Sequence, residues 1–103
     1  MTEDSLAITD NAAARRFEAH VDGLTAFAEY RLIQGAIMFT HTEVPKALGG
    51  RGIGTALIRA GLAAAREREL KVMPVCPFFA AWFGKHPEDR DLLHPSSRTG
   101  GGL

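Results

Sequence analysis

The sequence predicts a single α/β (α+β) domain: an antiparallel three-stranded meander extended by one parallel strand, with helices packed on the sheet. Three observations predict it. Two-residue alternation of apolar and polar side chains fills residues 15–44, and a turn signal marks each break. A glycine-rich turn at 49–54 then switches the chain to a helical period. A short run with two valines at 71–76 follows the helix. A strand–helix–strand unit of this kind closes with a right-handed crossover. The expected order is βββαβαα.

From Arg15 to Val21 the pattern alternates, with Phe17, Ala19 and Val21 on one side and Arg16, Glu18 and His20 on the other. Asp22-Gly23 follows, a strong hairpin signal because both residue types tolerate positive φ. The second strand, Leu24 to Leu32, aligns Leu24, Ala26, Ala28, Tyr30 and Leu32. Gln34-Gly35 is a weaker turn. The third strand, Ala36 to Val44, sets Ile37, Phe39, His41 and Glu43 against Ala36, Met38, Thr40, Thr42 and Val44. Pro45 ends it, because proline cannot donate to a ladder. In the helix, Ile53, Leu57, Ala60 and Ala64 mark one apolar face, Ala56, Ile58, Leu62, Ala63 and Ala65 widen it almost all round, and Thr55, Arg59 and Arg66 mark an exposed stripe. Lys71 to Cys76 reads as the parallel strand. Pro77 opens a helix running from Phe78 to about Lys85. His86-Pro87-Glu88-Asp89 restarts a short last helix through Leu93.

Composition narrows the function. The chain has 103 residues, enough for one domain, with 46% hydrophobic and 23% charged residues, the usage of a globular protein. Twelve Lys and Arg cancel twelve Asp and Glu, so no strongly basic surface for nucleic acid is expected. One cysteine forms no internal disulfide. No apolar run approaches the ~20 residues that span a bilayer, and the acidic start MTEDSLAITD lacks a signal-peptide core. A cytoplasmic protein with no membrane partner is the expectation. Residues 1–94 are expected to form the domain and 95–103, rich in serine and glycine, a disordered tail.

The turn Gly49-Gly50-Arg51-Gly52-Ile53-Gly54 carries the main chemical signal. Glycines let backbone approach a ligand, and amides at a helix N-terminus suit phosphate. Arg51 adds a charged donor. A surface turn with a cap is the plain alternative. No Gly-Lys-Ser/Thr follows, so the loop is not a nucleotide-hydrolase P-loop. It also fits poorly as a dinucleotide-binding fingerprint, since the third glycine would fall at Leu57. Cys76, His86 and His94 lack paired metal-ligand spacing, so no metal is expected.

Three blocks together are more specific than any one of them: His41 to Leu57, Leu70 to Phe79, and Lys85-His-Pro-Glu88. They resemble the minimal (Yjdj-type) branch of the GNAT superfamily of acetyl-coenzyme A-dependent N-acetyltransferases, over roughly residues 8–93. The resemblance implies a compact GNAT-like core and acetyl transfer from acetyl-coenzyme A, as cosubstrate, to an amine. The superfamily's pyrophosphate loop reads Gln/Arg-x-x-Gly-x-Gly/Ala. Gly52 and Gly54 supply its glycines, while Gly49 departs from the Gln/Arg position. The pyrophosphate is thereby expected on Gly50, Arg51, Gly52, Ile53, Gly54 and Thr55. The pantetheine is expected between the third and parallel strands, with the acetyl carbonyl held by amides near Thr42 and Val44.

The implied catalytic groups are Cys76, Glu43 and His41. Cys76 is either a group beside the thioester, transient acceptor or lining, or a small buried hydrophobe. As a nucleophile it needs activation by the nearby helix N-terminus or by a neighbouring base, for which His41 and His86 are candidates. Glu43 is either a general base for the amine or an exposed edge charge. His41 either shuttles protons or is a half-buried, hydrogen-bonded histidine. Trp82 stands where the superfamily often uses a tyrosine acid, and an indole does not replace one. Phe78, Phe79, Trp82 and Phe83 read as core and cleft wall. The acceptor is a protein lysine, an N-terminus or a small amine, and the protein a monomer or weak dimer. The rival functions are a non-catalytic coenzyme A or acyl-CoA-binding module and a partner-binding domain with an empty cleft.

Overall fold

In the computed structural model, which describes residues 7–96, one sheet is built from β1 (Ile8–Asn11), β2 (Arg16–Val21), β3 (Leu24–Ile33), β4 (Ala36–Glu43) and β5 (Lys71–Pro74). The strands lie in chain order across it. The first four are antiparallel neighbours, and β5 pairs parallel to β4. Between β4 and β5 come a 3-10 turn (Lys46–Leu48) and the long helix α1 (Ile53–Glu67). After β5 follow α2 (Pro77–Lys85) and a 3-10 helix (Pro87–Leu92). The meander, the long helix, the parallel strand and the second helix are therefore as the sequence predicts. The expected tail at 95–103 lies outside the described residues apart from Pro95 and Ser96.

Four details differ, each for a physical reason. β1 is an additional strand of four residues, two of which, Asp10 and Asn11, are poor strand formers. Tertiary contacts secure it: Asp10 accepts hydrogen bonds from Tyr30 Oη (2.6 Å) and Arg68 Nη2 (2.8 Å). β5 stops at Pro74, and Cys76 becomes the N-cap of α2, because Pro77 starts the helix there. The last helix is 3-10 and is held by side chains: Trp82 Nε1 and Arg66 donate to Asp89, and Arg66 also to Asp91. The fully buried stripe of α1 is Ile53, Leu57, Ile58, Gly61, Leu62 and Ala65, with the expected Ala60 and Ala64 partly buried at its margin. Gly61 permits a close approach to the sheet. A Cβ there would lie 2.7 Å from the Phe39 ring. Phe39 in turn stacks on Phe79 of α2, ring centroids 4.0 Å apart, so both helices cover the same face of the sheet.

A bulge in β4 resets its faces. Glu29 stands opposite His41, but the next residue, Tyr30, stands opposite Phe39, which leaves Thr40 as the inserted residue. One extra residue moves every later side chain to the other face. Ile37, Phe39 and Thr42 thus face the helices, Thr42 opposite buried Ala28. His41 and Glu43, expected beside Phe39, instead look out from the uncovered face.

The Asp10–Tyr30–Arg68 group makes stability depend on alkaline pH. Burial, reinforced by the Asp10 hydrogen bond and charge, pushes the Tyr30 phenol up to about 12. The folded value lies above that of the unfolded chain, so this contribution is complete below pH ~10 and fades as pH rises towards the folded value. Tyr30→Phe is expected to cost about 1–2 kcal/mol at neutral pH and to flatten the alkaline fall. Urea unfolding at pH 8 and at alkaline pH checks both.

Candidate functional site

The approach to α1 is open backbone. Gly50 and Gly52 hold φ of 79° and 75°, and no atom lies within 4 Å of where their side chains would start. Gly52 is the N-cap residue. No side chain caps the helix, and its first turn carries no acid. The first α-helical amide bond runs from Ala56 N–H to the Gly52 carbonyl at 3.0 Å. The amides of Ile53, Gly54 and Thr55 precede it, and such amides have no partner within a helix. Together with the positive end of the helix dipole, they form a cradle suited to phosphate. Gly54 serves a second purpose, since a Cβ there would lie 2.5 Å from the Phe78 ring. Its absence lets α2 close against α1. Arg51 points elsewhere than expected: its Nη1 sits 2.9 Å from Asp22 Oδ2 at the β2–β3 turn. An exposed pair of this kind is worth only about 0–1 kcal/mol, so the guanidinium is readily recruited by a stronger anion.

Beside the cradle the sheet parts. The β4–β5 ladder runs from Ala36–Lys71 to Phe39–Pro74. Cys76 N–H closes it on the Phe39 carbonyl at 2.8 Å. Beyond that point β4 continues to Glu43 with no β5 residue opposite. Cys76 sits at the fork, 4% exposed, and its Sγ–H donates to Thr42 Oγ1 at 3.4 Å. The apolar neighbours Val75 and Phe78 are exposed. A groove of about 240 Å³ lies between α1 (Thr55, Ile58) and α2 (Phe78, Ala81, Trp82, Lys85), ending at His86. It shares Thr55 with the cradle.

The uncovered face carries the titratable groups. His41 Nε2 lies 3.2 Å from Glu43 Oε1, and both side chains are more than half exposed. The Phe27 ring stands against His41 at 5.9 Å, with the Arg16 guanidinium over it at 4.4 Å from the ring centre. Arg16 grips Glu18 through Nε (2.8 Å) and Nη2. Those hydrogen bonds outweigh burial and hold the Glu18 carboxyl below the usual carboxylate range.

The structure thus brings together Cys76 with Thr42, and His41 with Glu43. It brings neither candidate base to Cys76. His41 lies on the opposite face of β4 from Thr42. His86 stacks on Trp82 at 3.6 Å and bonds the Trp82 carbonyl through Nδ1. The Trp82 indole N–H is committed to Asp89 at 2.9 Å. Phe79, Trp82 and Phe83 are buried, whereas Phe78 walls the groove. Sequence reading missed Arg16, Glu18 and Phe27 as a group, because their only signal is a cross-strand register. Among the described residues no group of three or more His, Cys, Asp or Glu side chains is placed to hold a metal. No helix among them is long and apolar enough to cross a membrane.

The model of a family described as GCN5-related N-acetyl-transferase matches residues 16–92, well over half of the chain. The chain belongs to the GCN5-related N-acetyltransferase family. Among solved structures it is similar to the solution NMR structure of a "GCN5-like putative N-acetyltransferase" from Staphylococcus aureus. That likeness has a TM-score of 0.70 at 29% identity and covers 88% of this chain and 90% of the other. No curated protein matches the chain. The GCN5-related N-acetyltransferase fold, mixed with one parallel strand pair, is shared with that neighbour. Membership makes the protein an enzyme of acyl transfer.

Proposed function

We propose that the chain transfers the acetyl group of acetyl-coenzyme A to a primary amine, with the residues of 1–94 acting as one cytoplasmic domain, monomeric or weakly dimeric. The observation that carries this is the uncapped, acid-free N-terminus of α1 opening beside the fork of β4 and β5. Family membership supports the same chemistry. The cradle of Gly50, Arg51, Gly52, Ile53, Gly54 and Thr55 takes the pyrophosphate. Arg51 leaves Asp22 for it. The groove between α1 and α2 takes the nucleotide end, with Lys85 as a cation at its far wall. The thioester lies in the fork, against Cys76 and Thr42, and the backbone of 42–44 polarises its carbonyl.

The acceptor approaches from the uncovered face, where Glu43 and His41 stand. Glu43, assisted by His41, takes the proton as the amine nitrogen attacks the acetyl carbon. The carbon–sulfur bond breaks, the electron pair leaves on sulfur, and water returns a proton to it. Transfer is direct. Cys76 donates its own hydrogen to Thr42 and has no histidine beside it, so it lines the fork. The acceptor is a protein lysine, an N-terminus or a small amine.

Release of free thiol from acetyl-coenzyme A, with and without a lysine-rich peptide or simple primary amines, tests the proposal. Amine-dependent release is expected, with Cys76→Ala still active and no acetyl adduct by intact-protein mass spectrometry. Stoichiometric binding without turnover would leave a non-catalytic coenzyme A-binding module. An adduct on the native chain that disappears in Cys76→Ala would make Cys76 an acetyl acceptor.

A further inference from the structure

We propose that Phe27 is a positioning residue for the His41–Glu43 pair, clamped by Arg16 and Glu18 across the uncovered face of the sheet. The proposal rests on the reading that this pair takes the proton from the amine.

The register places the parts. Glu18 stands opposite Phe27, and Phe27 opposite Glu43. Arg16 stands opposite Glu29, and Glu29 opposite His41. Two rows therefore run across β2, β3 and β4, with Phe27 at the centre of one. Directly opposed residues sit about 5 Å apart, within contact range for aromatic and long side chains. His41 is 58% exposed, and an exposed imidazole is otherwise free to turn about χ1 and χ2. The Phe27 ring, tilted by 58°, props one side of it, and Glu43 holds Nε2 on the other. Phe27 is itself pinned by the Arg16 guanidinium.

Arg16 is fixed in turn by an uncommon device. Glu18 is the one charged side chain that is buried among the described residues, at 4% exposure. It is buried on the face of the sheet that no helix covers. A carboxylate in that position needs full pairing. It has it from Arg16 through two nitrogens, from Asn11 Nδ2 at 3.3 Å and from His20 Nε2 at 3.3 Å. Two nitrogens of the planar group bond one Glu18 oxygen, Oε2, which restricts its rotation and keeps the guanidinium over the Phe27 ring. Order passes from a buried carboxylate to an exposed histidine. The charged groups around His41 are Glu43 on its own strand, Glu29 on β3 and the Arg16–Glu18 pair on β2 beyond Phe27.

Phe27→Leu is the test, with thiol release from acetyl-coenzyme A onto a lysine-rich peptide as one readout and the NMR signals of the His41 ring protons as the other. The proposal expects kcat to fall about tenfold, as misplacement of a catalytic group does, with KM for acetyl-coenzyme A unchanged. It expects the His41 ring protons to lose the displacement caused by the adjacent aromatic ring, and Phe27→Tyr to restore both. If Phe27→Leu does not fold, Phe27→Met keeps more of the apolar volume, leaves the Arg16–Glu18 pair intact and is expected to act in the same direction. Unchanged kcat in Phe27→Leu, while Glu43→Gln loses activity, overturns the positioning role alone. Unchanged kcat in both variants, or no turnover by the native chain, overturns the reading on which it rests.

Discussion

Gly50→Asp is expected to abolish detectable acetyl-coenzyme A binding while the protein stays folded. Gly50 is exposed, sits at φ 79°, and has no atom within 4 Å of a new Cβ. Aspartate is among the few residues that adopt positive φ without a large penalty. An acid just ahead of a helix is favourable, by about 0.3–1 kcal/mol, which offsets the strain of a side chain at this φ, so the unfolding temperature should change little. The same charge would oppose the pyrophosphate. Two like charges near 4 Å repel by about 1 kcal/mol in water and about 4 kcal/mol near a protein surface. With two phosphates facing it, the variant should bind at least ~100-fold more weakly. Calorimetry and thermal unfolding on one preparation separate the two effects. Gly54→Val is a poorer probe, because its side chain would run into Phe78 and disturb the α1–α2 contact as well.

Glu43→Gln is expected to lower kcat by about 10²–10³-fold and leave acetyl-coenzyme A affinity unchanged. The amide keeps the shape of the side chain and a hydrogen bond to His41, but it accepts no proton. Glu43 is 62% exposed, so no loss of stability accompanies the change. Steady-state thiol release against acceptor concentration reads the effect. Full activity in the variant would return Glu43 to an ordinary edge charge and transfer the proton to another group.

The fold was legible in the sequence wherever local rules and tertiary packing agree. Asp22-Gly23 makes the expected two-residue turn, with φ of 53° and 76°, because both residue types accept positive φ. The glycine turn opens α1 at the expected place, and Pro77 stands at the start of α2. What was not legible depends on register and partners. β1 exists through Tyr30 and Arg68, which lie 20 and 58 positions from Asp10. The bulge at Thr40 leaves the composition of β4 unchanged and reverses the faces of His41 and Glu43. Glu18 points outward, as alternation predicts, and is buried nonetheless, because its neighbours close over it. The site divides in the same way. The proposed phosphate cradle is made of backbone, so glycine positions point to it. The His41–Glu43 pair and the Phe27 clamp are made of cross-strand side chains, so only a settled register brings them together.

Titration of the native chain with acetyl-coenzyme A by calorimetry tests the central claim most directly. Binding of about one ligand per chain, competed by coenzyme A, is expected even though Gly49 replaces the Gln or Arg of the superfamily loop. Absence of binding at millimolar ligand would contradict it, because the cradle at the start of α1 would then hold no pyrophosphate.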